Sequence, residues 1–361
     1  MFAGTAAVLM AAVLFFPVRA RAISAEKAIL LDAATGRVIY ERNADDRSLI
    51  ASTTKIMTAL VVCEQCNVLD RVRIPKEAVG VEGSSIYLQE GEVLTVQELL
   101  YGLMLHSGND AATALAIYCG GTVEGFAQLM NDEAARIGLK NTHFVNPHGL
   151  DAPAHYSTAR DLALLAAYAM DNPIFRQTVS TRNVNVGQRS LRNHNKLLWQ
   201  VDGADGVKTG FTKAAGRILV SSAARDGRRL VAVTINAPDD WHDHAALLAD
   251  GFSRYSVHKI VTEGQILGTV EIEGGQAARV LLVAAEDFSY ALAENETVTV
   301  TPAGPGFAYA PAVEGADAGF AWVRVDGKPV GKVGLHYGET VEQIPEEEGS
   351  FWERLFGGNR K

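Results

Sequence analysis

An α+β fold is what the sequence predicts, on three observations. Strand-like runs stand at both ends of the stretch 28–252: 28–32 and 37–41 at one end, 206–211, 217–222 and 229–235 at the other. Between them, residues 90–175 are mainly helical, with apolar side chains recurring at helical spacing. Past about Tyr255 the chain changes to short strands and glycine turns, the pattern of a small separate all-β domain. A sheet assembled from both ends of a segment, with helices inserted between its strands, is an α+β arrangement.

The chain opens on an almost wholly apolar run, 2–18, that Gly4, Thr5 and Pro17 interrupt. It is too short for a membrane span. Cleavage sites of the small-x-small kind follow at Ala20 and Ala22, so 1–22 reads as a secretory signal peptide, although no basic residue precedes it. A hydrophobic share of 48% against 21% charged residues is the balance of a folded globular protein. The net charge of −9 leaves no electrostatic footprint for nucleic acid, so an anionic substrate must be caught by a local cation.

Residues 28–32 and 37–41 flank Ala33-Ala34-Thr35-Gly36, a hairpin signal. Ser52-Thr53-Thr54-Lys55 heads the apolar run 56–62, which reads as a buried helix with Ser52 in its first turn. Thr95 and Glu98 form a capping box before an apolar stripe of Val96, Leu99, Leu100, Leu103 and Met104. That helix halts at Ser107-Gly108-Asn109-Asp110, and an alanine-rich one covers 111–118. A third carries Phe126, Leu129, Met130, Ala134 and Ile137 and closes at Gly138; a fourth runs from the Thr158 cap to Met170. A short strand at 183–186 precedes the three later ones, and 247–252 looks helical. The last part offers strands at 266–272, 279–284 and 297–301 and a hairpin on Asp326-Gly327. The expected division is therefore 1–22, 23–255, 256–345 and a tail, 346–361.

Ser52 and Lys55, three positions apart, share one helix face. A serine hydroxyl becomes a nucleophile when a base takes its proton, and lysine is such a base once its pKa falls from roughly 10.4 toward neutrality. Apolar surroundings and the positive end of the helix dipole both lower it. Ser-x-x-Lys alone is a weak signal: Ser24/Lys27 and Ser256/Lys259 share the spacing, but neither opens a long apolar run. Two further motifs follow. Ser107-Gly108-Asn109 lies in the tight link between two helices, where short polar side chains point outward. Lys208-Thr209-Gly210 lies on a strand, with Gly210 leaving room for close backbone approach and Lys208 and Thr209 offering a charge and a hydroxyl to a carboxylate. Each alone is more often a helix cap or a solvated turn than a site. All three in this order rarely coincide by accident.

In that order the motifs resemble the signature of penicillin-binding proteins and serine β-lactamases. The chain is most similar to the low-molecular-mass D-alanyl-D-alanine carboxypeptidases. Matching runs cover 31–36, 51–60, 83–88, 105–112, 146–150 and 206–210 within a resemblance spanning about 28–252. It implies a catalytic domain built on an antiparallel sheet with an inserted helical lobe, then a small β-sandwich-like domain. The implied activity is removal of the terminal D-alanine from peptidoglycan stem peptides through an acyl-enzyme on Ser52, with covalent binding of β-lactam antibiotics. In that picture Lys55 takes the Ser52 proton and Ser107 relays one to the leaving amine. Asn109 orients Lys55 and the substrate, Lys208, Thr209 and Gly210 bind substrate, and the backbone N–H groups of Ser52 and Phe211 form the oxyanion hole. No cofactor and no metal is implied, and the setting is the outer side of a bacterial cytoplasmic membrane.

Some relatives have His where Phe211 stands, and an arginine beyond the last strand that has no counterpart in 236–241, so carboxylate binding is expected to lean on Lys208. A class A β-lactamase would need a glutamate about 35 residues past Ser-x-Asn, a region where Asp151 is the carboxylate. A penicillin sensor without turnover would need a transmembrane link, which the sequence does not display. His242, Asp243 and His244 read as the solvated start of a helix rather than a metal site, and Cys63, Cys66 and Cys119 as small buried apolar residues. In the tail, Phe351, Trp352, Leu355 and Phe356 share a helical face, an expected amphipathic membrane contact.

Overall fold

Both ends of the first segment do build one sheet. β1 (Lys27–Asp32) and β2 (Val38–Arg42) form the expected hairpin, with Gly36 at a φ of 67° in its turn. The computed structural model describes residues 23–304 and 306–345. The signal peptide expected over 1–22 and the amphipathic tail expected over 346–361 lie outside the described residues.

A 3₁₀ turn, Ala51–Thr54, leads directly into α1 (Lys55–Gln65). Ser52 thus sits in this turn, one step before the α-helix proper. Every residue of α1 from Lys55 to Cys63 is buried, as its unbroken apolar sequence requires. The short strands β3 (Arg71–Arg73) and β4 (Val93–Thr95) pair beside α2 (Val96–Leu105), which opens on the Thr95–Glu98 capping box. α3 (Asn109–Gly120) and α4 (Val123–Ile137) follow, the latter closed by Gly138 in the left-handed region. α5 (Ala159–Asp171) takes its cap from Thr158, and α6 (Pro173–Ser180) starts on a proline suited to a first helical turn.

β5 (Asn183–Val186) pairs with β6 (Arg189–Arg192), and α7 (Leu197–Gln200) leads to the three long strands. β7 (Ala204–Thr212), β8 (Gly216–Arg225) and β9 (Arg228–Ile235) pair antiparallel in succession, and β9 closes on β1. The sheet order is β2-β1-β9-β8-β7, which leaves β7 as an edge. α8 (Asp240–Arg254) is longer than the sequence pattern indicated.

Beyond it come β10 (Tyr255–Val261), β11 (Ile266–Glu273), β12 (Arg279–Ala284), β13 (Phe288–Ala293), β14 (Val298–Ala303), β15 (Phe307–Tyr309), β16 (Asp317–Val325) and β17 (Lys328–Tyr337). They form a six-stranded sheet, β14-β16-β17-β12-β11-β15, beside the pair β10-β13. β16 and β17 turn on Asp326 and Gly327, both at positive φ. The fold is the expected α+β catalytic unit followed by an all-β one.

Two expectations need correction. His244 is fully buried, with its ring nitrogens bonded to Ser221 Oγ at 2.6 Å and Thr234 Oγ1 at 2.9 Å. Burial pushes its pKa down to about 3, so it is a neutral core residue rather than a solvated one. Cys66 and Cys119 form a disulfide, with Cα atoms 6.6 Å apart, while Cys63 stays a buried thiol pushed up to about 12 by burial. The pairing joins helices 53 residues apart, and no local spacing could disclose it.

Candidate active site

The Ser52 turn is held by its surroundings. Ala51 has a φ of 45°, and Gly149 packs so tightly behind it that a Cβ there would meet the Ala51 carbonyl oxygen at 1.8 Å. Gly149 itself has a φ of 88°, so both space and backbone require glycine. The same loop presents the His148 carbonyl to Lys55. Lys55 Nζ lies 2.6 Å from that oxygen, 2.7 Å from Asn109 Oδ1 and 3.1 Å from Ser52 Oγ. The side chain is fully buried, and no carboxylate is among these partners. Desolvation first, then the nearby Lys208 charge, hold its pKa well below the ordinary lysine value. His148 is likewise lowered to about 4 by burial and adds no charge near neutrality.

Ser107 sits in the link between α2 and α3 with a φ of 64°, a strained conformation for a residue other than glycine and one typical of sites held rigid by their surroundings. The first residue of α3, Asn109, donates through Nδ2 to the Glu82 carbonyl at 2.5 Å, which fixes its Oδ1 toward Lys55. The next, Asp110, is buried and accepts from the backbone of Ile86 and Leu88 and from Ser85 Oγ. It thereby folds the 83–88 loop over the site. Sequence reading missed Asp110, because its partners lie some 25 residues upstream in a loop without regular pattern.

β7 supplies the opposite wall. Lys208 Nζ lies 3.1 Å from Ser107 Oγ and donates to the Thr209 carbonyl at 2.8 Å, and burial lowers it to about 7. A Cβ on Gly210 would stand 3.3 Å from Ser52 N, so the absent side chain lets the strand approach the serine turn. A cleft of about 320 Å³ opens there, lined by Ser52, Ser107, Thr209, Phe211, Arg217 and Trp241 among others. The structure thus brings Ser52, Lys55, Ser107, Asn109, Lys208, Thr209, Gly210 and Phe211 to one cleft.

Arg217 was not read from the sequence. It lies on β8 directly across from Phe211. Its Nη2 donates to both oxygens of buried Asp240, at 2.7 and 2.9 Å, while the side chain stays 44% exposed. The cleft therefore has a permanent cation even though 236–241 contributes no arginine. Strand register is what places it there.

The other Ser-x-x-Lys runs fall away. Ser256 and Lys259 lie on strand β10, where residues three apart face opposite sides, and Lys259 pairs with Asp287. Ser24 Oγ bonds Asp243, while Lys27 Nζ bonds Ser48 Oγ. Asp151 accepts from the Oγ1 of Thr212, the last residue of β7 and the neighbour of Phe211.

Comparison with known proteins points to one family. Residues 15–239 match the family model described as D-alanyl-D-alanine carboxypeptidase, and 255–343 match the C-terminal domain of penicillin-binding protein 5. D-alanyl-D-alanine carboxypeptidase DacF of Bacillus subtilis is 34% identical over 75% of this chain and 73% of its own length. DacC of Escherichia coli is 34% identical over 94% of this chain and 88% of its own. The solved structure of penicillin binding protein 5 from Haemophilus influenzae superposes with a TM-score of 0.79 at 30% identity, covering 89% of this chain and 98% of that one.

Proposed function

The chain belongs to the D-alanyl-D-alanine carboxypeptidase family of serine peptidases, and on that footing we propose that Ser52 is its nucleophile and Lys55 the base. The observation that carries this reading is the fully buried Lys55 Nζ, 3.1 Å from Ser52 Oγ, with no carboxylate in hydrogen-bond contact. As a neutral amine it gives its two N–H groups to Asn109 Oδ1 and the His148 carbonyl and keeps its lone pair for the Ser52 proton.

The substrate, a peptidoglycan stem peptide ending in D-alanyl-D-alanine, adds along the free edge of β7 as an extra strand. Ser52 Oγ attacks the carbonyl between the two alanines. The oxygen's developing charge is met by the backbone N–H groups of Ser52 and Phe211, an arrangement worth about 3–4 kcal/mol per donor. Ser107, bonded to Lys208, relays to the departing amine the proton that Lys55 took from Ser52, as the C–N bond breaks. The terminal carboxylate is held by the Thr209 hydroxyl and, in place of an arginine beyond the last strand, by Arg217. Water then cleaves the ester and returns Ser52. A β-lactam enters the same path and stays as the acyl adduct.

The same proposal assigns 23–255 to catalysis and 256–345 to a separate β unit, supported by the change of sheet after Arg254. Its substrate places the work outside the cytoplasm, with 1–22 as the export signal and 346–361 touching the membrane surface. Among the described residues no helix is long and apolar enough to cross a membrane. The test is incubation with a D-alanyl-D-alanine peptide: the native chain releases D-alanine, and Ser52→Ala lowers the rate by a factor on the order of 10⁴ or more. Release that survives the change rejects the assignment, and acylation by penicillin without any D-alanine release marks a binder.

A further inference from the structure

Beside the cleft lies a second hollow, a trough of about 570 Å³ lined in part by His106, Arg192, His194, Lys196 and Trp199. In a chain of net charge −9, no aspartate or glutamate is among its lining residues. Arg192 lies over the Trp199 ring at 5.1 Å and Lys196 stands 5.9 Å from the Trp241 ring, so both cations rest on aromatic faces rather than against carboxylates. His106 Nδ1 is buried with no hydrogen-bond partner among the described residues. The trough is an uncompensated cationic surface.

Its position relates it to the reaction. His194 lines both hollows, and the Lys196–Trp241 contact joins the trough to the cleft wall. His106 directly precedes Ser107, and the His106 and His194 rings stand 4.9 Å apart. The trough therefore adjoins the cleft beside Ser107, where the leaving amine departs.

Resting on the serine peptidase reading above, we propose that the trough extends the leaving-group site and takes a leaving residue that carries a second carboxylate. The released amine is then an acidic D-amino acid rather than alanine. Bond changes are those of the established reaction: the scissile C–N bond breaks, Ser52 Oγ takes the acyl group, the amine gains a proton, and water later cleaves the ester. Its first carboxylate sits with Thr209, and its second reaches Arg192 and Lys196.

The test compares kcat/KM for two peptides of equal size ending in D-Ala-D-Glu and D-Ala-D-Gln, with D-Ala-D-Ala as control. The native chain favours the acidic peptide by about three- to fivefold, the worth of a partly exposed ion pair. The double variant Arg192→Gln, Lys196→Gln brings the ratio near one, and Arg192→Lys, Lys196→Arg keeps it. Because the readout is a ratio within one protein, a general loss of rate does not disturb it. A native ratio near one, with D-Ala-D-Ala still cleaved, overturns the trough alone, as does a ratio that the Gln variant leaves unchanged. Failure on all three peptides overturns the underlying reading instead.

Discussion

Lys55 and Lys208 are buried in one cleft, and the Lys208 charge makes the Lys55 proton more costly to hold. Desolvation dominates both shifts, but the Lys208 charge further lowers Lys55. The sign of a testable effect follows. With Lys208→Gln the neighbouring charge is gone, the Lys55 pKa rises, and less of it is neutral at a given pH. The acid limb of the kcat/KM profile should then move to higher pH. A limb that stays or moves to lower pH contradicts the coupling, whatever happens to the absolute rate. At this scale the sequence disclosed the residues whose chemistry is tied to short spacing, Ser52 with Lys55 and Ser107 with Asn109. It did not disclose Arg217 or Asp110, because their roles exist only through strand register and a loop folded back from elsewhere.

Two helices carry Lys55 and Asn109 at their N-terminal ends, and the disulfide ties their far ends. α1 starts at Lys55 and ends before Cys66; α3 starts at Asn109 and holds Cys119 in its last turn. The bond limits how far the helices can splay without touching the cleft. Across its 53-residue separation the loop-entropy account gives about 4 kcal/mol of stabilisation. The double variant Cys66→Ser, Cys119→Ser should lose up to that amount in denaturant unfolding while still being acylated by penicillin at room temperature. An unchanged midpoint would contradict the role. Element limits written in local chemistry were legible: the Thr95–Glu98 box, the Thr158 cap and the Gly138 stop all stand where the pattern put them. Strands β13 and β15 were not, since β13 is set by pairing with β10 and the three residues of β15 by a parallel match to β11.

At the scale of the molecule, one sheet drawn from both ends of the first segment brings β7 beside a serine turn more than 150 residues away in sequence, and the helical lobe fills the space between. Arg37, near the end of the first hairpin, reaches the β unit: it donates to the Ala291 carbonyl at 2.6 Å, pairs with Glu296 and lies over the Tyr255 ring. The order of the three motifs along the chain was legible because each rides on an element start or strand. Their convergence was legible only through family resemblance, since no local rule fixes which strand ends beside which helix. That convergence is the central claim, and peptide mapping by mass spectrometry after brief exposure to penicillin tests it most directly. The account predicts a single adduct, carried by the peptide containing Ser52 and absent in Lys55→Ala over the same exposure. An adduct on any other residue, or one formed equally fast without Lys55, would contradict it.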